Sequence, residues 1–163
     1  AGPTVYVDRL APHEFGPETK LPKASEILSL KGDAKQGKAL IGRCYVCHKI
    51  GSAGVMFGPA LAGWGSGQTR DVILKSILDP SADISHGFEG TELVVKGDKK
   101  IQGFIQAEGD PLVIRVFGGQ DLVIAKADIN SRKQVKTSFM APASRLGLDA
   151  QQLRDVVEYL KLN

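Results

Sequence analysis

The sequence predicts a mainly α fold that carries a small antiparallel β-sheet as an insertion. Apolar residues with helical periodicity, preceded by capping residues, occur both before residue 88 and after residue 130, and this pattern favours helices. Between residues 88 and 130 the pattern changes to short runs of β-branched residues, which favours strands. The chain has 163 residues, 42% of them hydrophobic, so one domain with its own core fits its size, and we assign it to residues 31–163.

The N-terminal part of the chain is predicted to consist of an extended arm followed by a helix. Residues 1–30 contain four prolines and show no clean hydrophobic period, which is typical of an extended arm or linker. A first helix is then predicted, capped by Asp33 and running toward two cysteines, Cys44 and Cys47.

Two further helices are predicted in the rest of the domain. The sequence TRDVILKSILD, residues 69–79, has helical periodicity and is followed by Pro80, which ends the helix. The last helix is predicted to begin at Asp149, where Gln152 completes a capping box. One apolar stripe along this helix is predicted to be buried; it consists of Leu153, Val156, Val157 and Leu160.

The β-rich stretch, residues 88–130, is predicted to be a four-stranded antiparallel meander. Its runs are TELVV, KIQGFIQ, LVIRVF and DLVIAKADI. Gly-Asp, Gly-Asp and Gly-Gly pairs separate the runs, and such pairs favour the tight turns of hairpins. We interpret the meander as an insertion into the helical domain.

The chain's two cysteines lie in the segment RCYVCHKI, with His48 directly after Cys47. Two unrelated buried cysteines beside a histidine would be a coincidence of spacing. A zinc site needs four ligands, but His13 and His86 stand alone and far apart. A redox dithiol normally follows a buried strand, whereas a helical pattern precedes Cys44. The motif therefore favours covalent haem attachment, with two thioethers and the histidine as iron ligand.

The spacing within the motif has a physical reason. Two intervening residues allow one helical turn to present both sulfurs to one edge of a porphyrin, while the ring of His48 points at the iron. An iron-bound histidine also needs an acceptor for its other ring N–H. A backbone carbonyl in FGPALAG, residues 57–63, is predicted to be that acceptor, because Pro59 makes this loop rigid.

Longer segments around the motif resemble a known family. GKALIGRCYVCHKIGSAGVMFGPALAG and TSFMAPASRLGLDAQQLRDVVEYL are similar to a class I c-type cytochrome. The intervening ILDPSADISHGFE is similar to the haem-binding domain of the Planctomycetes and Verrucomicrobium type. The resemblance covers about residues 33–163. The chain departs from it at Ile41, where the family usually carries Phe, and at Ala141, which separates the methionine from Pro142.

The resemblance implies a class I cytochrome c helical fold around one covalently attached haem c. It implies that Met140 is the second axial ligand of the iron. It also implies a loop at Gly58 and Pro59 that packs on the haem, and a contact between Gly37 and Tyr159 that joins the first and last helices.

Four other side chains are candidates with structural alternatives. Trp64 and Arg70 offer an indole N–H and a guanidinium to the haem propionates. The alternatives are a packed aromatic ring and a surface charge at a helix start. His86 is either an alternative iron ligand or a solvated loop histidine, and the latter is favoured. Met56 competes with Met140 for the iron, but it follows the motif so closely that a packing role is favoured.

A haem iron with histidine and methionine ligands has no open coordination position, so it passes single electrons. The sequence therefore predicts an electron-transfer protein or domain, without substrate chemistry of its own, between a dehydrogenase-type donor and another redox carrier. Two alternatives remain open. A displaceable Met140 would permit peroxidase-like or gas-binding chemistry, and a docking domain would use the haem only as a structural element.

The overall charge indicates the class of partner. The chain carries a net charge of +3, and Lys126, Arg132, Lys133 and Lys136 cluster in its second half, which favours acidic redox proteins. Nucleic acid is not predicted, because most lysines are scattered and aromatics are few. No apolar run approaches the roughly 20 residues of a transmembrane helix. Thioether formation in the resembled family implies a periplasmic or secreted protein, and the oligomeric state is left open.

Overall fold

The computed structural model describes residues 2–12 and 14–163, which divide into two compact units. We call residues 2–12 and 84–139 the sheet unit, and residues 14–83 and 140–163 the helical unit. His13, which the sequence analysis discards as a zinc ligand, lies outside the described residues.

The helical unit consists of short helices connected by loops. Its four α-helices are α1 Ala24–Ser29, α2 Ala34–Leu40, α3 Arg70–Leu78 and α4 Ala150–Leu162. Three single turns of 3-10 helix accompany them, at Ile41–Cys44, Gly65–Gly67 and Ala143–Arg145. In the part of the chain that the structure describes, no helix has the length and apolar character needed to cross a bilayer.

The helix starts follow the capping residues of the sequence. The side chain of Asp33 accepts hydrogen bonds from the backbone N–H groups of Lys35 and Gln36, at 2.9 and 3.2 Å. At α4 both halves of the predicted capping box are present: Gln152 N–H donates to the Asp149 carboxylate, and the Gln152 side chain accepts from Asp149 N–H. The predicted helix starts at Asp33 and Asp149 are therefore confirmed, as the starts of α2 and α4, whereas α1 was not predicted.

Two glycines allow a close approach to α4. A β-carbon on Gly37 would collide with the carbonyl oxygen of Asp155 and would lie 2.8 Å from the β-carbon of Tyr159. A β-carbon on Gly65 would likewise collide with the carbonyl oxygen of Leu160. The predicted contact between Gly37 and Tyr159 is confirmed, and it fixes α2 against α4.

The core of the helical unit forms around α4. The predicted apolar stripe on this helix is buried throughout, which confirms it. Val72, the first apolar residue of α3, is 41% exposed, whereas Leu74 is fully buried. The side of α3 that faces the core therefore contains Leu74 and not Val72. The buried cluster consists of Ile27, Ile41, Ile73, Leu74, Ile77, Ala143, Leu148, Leu153, Val156, Val157 and Leu160.

The sheet unit is a five-stranded antiparallel sheet. Its strands are β1 Gly90–Val95, β2 Lys99–Ala107, β3 Leu112–Val116, β4 Asp121–Ile124 and β5 Ile129–Val135. The order across the sheet is β4-β3-β2-β1-β5, so β1 to β4 form the predicted hairpins and β5 returns to pair with β1. A second buried cluster consists of Leu93, Val95, Ile101, Leu112, Ile114, Val116 and Ile124.

The prediction of a mainly α class I cytochrome c fold is wrong. Only about 30% of the chain is helical, and the sheet has five strands rather than four. The fifth strand has the polar, exposed sequence INSRKQV, whose side chains give no alternation to recognise. Its strand conformation comes from pairing with β1, a tertiary effect that overrides local pattern.

The segment 1–30, assigned to one extended arm from the sequence, divides between the two units: residues 2–12 belong to the sheet unit and residues 14–30 to the helical unit. Residues 8–11 lie along β2: Arg9 N–H donates to the Lys100 carbonyl and Gln102 N–H donates to the Arg9 carbonyl, both at 2.8 Å. The Tyr6 hydroxyl donates to Asp128, at 2.7 Å. By contrast, α1 belongs to the helical unit and buries Ile27 fully.

Candidate haem site

One backbone turn keeps the two cysteines and the histidine together. The 3-10 turn after α2 ends at Cys44, whose carbonyl oxygen accepts hydrogen bonds from the N–H groups of Cys47 and His48, at 3.2 and 2.9 Å. The three residues therefore lie within a single turn, where the sequence predicts them.

Both cysteines are half-buried thiols that form no disulfide. Burial raises the pKa of Cys44, and burial together with the charge of Cys44 raises the pKa of Cys47 to about 11. Both groups are therefore protonated at neutral pH. A redox dithiol needs a lowered thiol pKa, so the electrostatics of the pair disfavour that kind of site.

The imidazole of His48 is buried and oriented by the backbone. Its Nδ1 lies 2.6 Å from the carbonyl oxygen of Pro59, which only accepts, so the proton lies on Nδ1 and Nε2 is left as the ligand atom. Burial lowers the pKa of His48 and so favours the neutral ring that a metal ligand requires. The contact that the sequence predicts between this ring and the 57–63 loop is present.

The loop after the motif fits closely against this ring. The N–H of Gly58 donates to the Cys47 carbonyl at 2.6 Å, which brings its backbone beside the histidine. A β-carbon on Gly58 would lie 2.8 Å from Cε1 of His48, so a side chain there would displace the ring. Gly58 and Pro59 thus position His48 together, one by its small size and the other by its carbonyl.

Met140 lies in the helical unit with the motif. Its side chain is partly buried and packs on the same apolar cluster as Cys44 and Trp64. The residues after it are anchored, because Ala141 and Ala143 are 3% and 0% exposed. Met56, by comparison, is 45% exposed.

Sequence reasoning missed a contact that Arg43 makes with the segment after Met140. Its guanidinium Nη1 donates to the carbonyl of Leu146 at 2.7 Å, while its Nε donates to Leu40 at 3.2 Å. Arg43, the residue directly before the first cysteine, is therefore hydrogen-bonded to the segment that follows Met140. No local pattern signals this contact, because Leu146 lies 103 residues after Arg43.

The other candidate side chains have structural partners. Arg70 makes a bidentate ion pair with Glu158 of α4, with both N···O distances at 2.8 Å. Trp64 packs on the core cluster of the helical unit. Their propionate contacts stay predictions. His86 belongs to the sheet unit, where its side chain is fully exposed and 3.6 Å from Glu89.

These donors fit a covalently attached haem. The helical unit supplies two thiols for thioether bonds, a buried neutral imidazole with Nε2 available, and a methionine thioether. The glycine at position 58 leaves room for the ring of His48 and no more. No competing arrangement of the cysteines, such as a disulfide, is present in the described residues.

Part of the chain is similar to a c-type cytochrome. A protein described as "Cytochrome c-553-like" from Synechocystis sp. is 46% identical over 50 residues. The match covers 30% of this chain and 45% of that protein, so the chain spans less than half of the relative's length. No family model matches the chain. The finer resemblance, to the Planctomycetes and Verrucomicrobium type of haem domain, stays a prediction.

Proposed function

We propose that this chain is a monohaem c-type cytochrome that carries single electrons. The observation that supports it most is the single turn in which two free thiols precede a buried histidine whose Nδ1–H donates to a backbone carbonyl. The partial likeness to a cytochrome c-553-like protein agrees with it.

Each group of the site has a separate task. Cys44 and Cys47 would attach haem c by thioethers, and Nε2 of His48 and the sulfur of Met140 would hold its iron. When bound, haem c supplies an iron centre that gains and loses one electron. The carbonyl of Pro59 keeps the proton of His48 on Nδ1 and fixes the plane of its ring. Arg43 fixes the segment that follows Met140.

This arrangement favours electron transfer over substrate chemistry. The ring of His48 is already oriented by Pro59, so it would move little when the charge on a bound iron changes. With His48 and Met140 both holding the iron, no position would be left for a substrate. The proposed donor is a dehydrogenase-type protein or domain, and the proposed acceptor is another redox carrier. The proposed location is the periplasm or the cell exterior, where thioether attachment in c-type cytochromes takes place.

Replacing the methionine ligand tests the proposal. The Met140→Ala chain should keep its covalent haem, because the motif is untouched, but it should lose the weak red absorption of a sulfur-ligated ferric haem. Its reduction potential should fall, and its iron should bind carbon monoxide. Met56→Ala is the matched control, because Met56 is 45% exposed, and it should behave like the unchanged chain.

Two results would contradict the proposal in different ways. If Met56→Ala causes these changes and Met140→Ala does not, the assignment of the axial ligand is wrong. If the unchanged chain already binds carbon monoxide tightly, the iron has an open or displaceable position, and peroxidase-like or gas-binding chemistry is the better function.

A further inference from the structure

The sheet has a long open edge at β5. Within residues 2–12 and 14–163, β5 pairs with β1 on one side and with no strand on the other. It is seven residues long, whereas β4 at the opposite edge has four. Residues 130–134 are all exposed, so the edge is accessible to another chain.

The register of the sheet shows which backbone groups this edge presents. Gln102 N–H donates to Arg9, so the backbone of Gln102 points away from β1. Gln102 and its cross-strand partner Glu92 therefore form a non-hydrogen-bonded pair, and the backbone N–H and C=O of Glu92 point away from β2 and toward β5. Glu92 lies opposite Lys133, so the backbone N–H and C=O of Lys133 pair with those of Glu92 and point toward β1.

Alternation along β5 places its neighbours on the other side. If Lys133 directs its N–H and C=O toward β1, then Arg132 and Gln134 direct theirs toward the open edge. No backbone partner for these two residues occurs among the described residues. Their N–H and C=O groups have the spacing that a further strand needs.

The charged side chains of this segment are all basic. Residues 129–136 include Arg132, Lys133 and Lys136 and no acidic residue. Arg132 pairs with Glu108 at 2.8 Å and Lys133 with Glu92 at 3.3 Å, yet their side chains remain 44% and 70% exposed.

A cleft beside the edge adds a place for a side chain. Its volume is about 420 Å³, and Arg132 and Gln134 line it together with Thr91, Ile105 and Glu108. A strand added to β5 would lie next to this cleft, so one of its side chains would enter a partly apolar space beside a guanidinium.

We propose that the β5 edge binds an extended, acidic segment of a partner protein by strand addition. Main-chain hydrogen bonds to Arg132 and Gln134 give the pairing, and the exposed cations select for acidic side chains. A second copy of this chain fits poorly, because an antiparallel two-fold pairing centred on Arg132 or on Lys133 would set that cation opposite its own copy. This surface belongs to the sheet unit and contains none of the residues proposed to hold haem.

The proposal is tested with a blocked heptapeptide that has two central glutamates flanked by threonine and valine. It should bind the full chain and slow amide exchange at Arg132 and Gln134, and its affinity should fall as salt is added. The matched control is the same peptide with every backbone nitrogen methylated, which keeps the charge but removes the N–H donors from both edges of the strand. It should bind at least about tenfold more weakly.

A pair of variants tests the edge from the other side. Gln134→Pro removes an N–H that faces solvent, so the sheet should remain while the peptide binds about fivefold more weakly. Gln134→Ala removes only the side chain beyond the β-carbon and should keep most of the affinity. If Gln134→Pro unfolds the sheet, the methylated peptide on the unchanged chain decides instead.

Three results would overturn the proposal. The first is equal binding of the methylated and unmethylated peptides, since charge alone would then explain the affinity. The second is peptide binding without protection of the Arg132 and Gln134 amides. The third is self-association of the chain through β5, which would make a second copy the occupant of the edge.

Discussion

At Gly37 the packing of two helices leaves no room for a side chain. We expect Gly37→Ala to lower the free energy of unfolding by about 2 kcal/mol or more, because the new methyl group would collide with the carbonyl of Asp155. Gly42 is the matched control: it lies one turn later, and a β-carbon there meets nothing within 4 Å. Gly42→Ala should change the stability by no more than about 0.5 kcal/mol. Denaturant unfolding measures both, and equal effects would contradict the close approach.

Glu158 gives the helical unit a pH dependence. Arg70 and Arg154 both donate to its carboxylate, and these hydrogen bonds lower the pKa of Glu158 to about 2. A lowered pKa stabilises the fold above the unfolded value of 4.5, and this stability is lost as the pH falls toward 2.

We therefore expect Glu158→Gln to destabilise the chain by about 2 kcal/mol at neutral pH and to flatten the decline of stability between pH 4.5 and 2. Glu108→Gln is the control, because Glu108 pairs with Arg132 at a site where it is 64% exposed. Its effect should stay below about 1 kcal/mol. Unfolding curves at a series of pH values measure both, and an unchanged acid limb in Glu158→Gln would contradict this role.

Contacts between residues that are close in the sequence could be predicted, whereas contacts between distant residues could not. The Nδ1–H of His48 finds its acceptor 11 residues later, within a loop that the sequence marks with glycine and proline. Arg43 and Leu146 are 103 residues apart, and Arg70 and Glu158 are 88 apart. No local pattern reports such pairs, so the carboxylate of Glu158 that Arg70 binds could not be identified from the sequence.

Among the elements, helices with caps were easier to predict than strands without alternation. The side chains of Asp33 and Asp149 make hydrogen bonds within three residues, so their helices can be read locally. The strand β5 has an exposed polar sequence and depends on β1, about 40 residues earlier in the chain. Overlooking β5 made the predicted sheet one strand smaller than it is.

The sheet should be removable as a whole but not in part. Replacing residues 91–126 alone would leave β5 without its partner β1, so the replacement must extend over residues 90–135. With a Gly-Ser connector in their place, we expect covalent haem and the helicity of α2 and α4 to remain. Absorption and far-ultraviolet circular dichroism measure this. Loss of covalent haem would mean that the sheet is needed to fold the helical unit.

On the scale of the whole molecule, each unit has its own hydrophobic core. The two buried clusters share no residue, and each lies within one unit. A ligand stabilises the part of a protein to which it binds, so haem should stabilise the helical unit. In the Cys44→Ala/Cys47→Ala chain, which cannot attach haem, amide exchange should therefore become faster in residues 14–83 and 140–163.

The amides of the sheet unit serve as the internal control in that measurement. Exchange in residues 84–139 should stay the same with and without attached haem, because their core contains none of the haem-site residues. Equal acceleration in both units would show that the chain unfolds as one cooperative body.

The path of the chain through the two units also sets an order of completion during synthesis. The sheet unit is complete once residue 139 has been made, whereas the helical unit still lacks residues 140–163. In a nascent chain the sheet unit can therefore fold before α4, the packing partner of α2, has been synthesised. Until then, the face of α2 around Gly37 lacks α4, and α3 can pack on α1 but not on α4. This interval is when the growing chain is most exposed to aggregation and to chaperones.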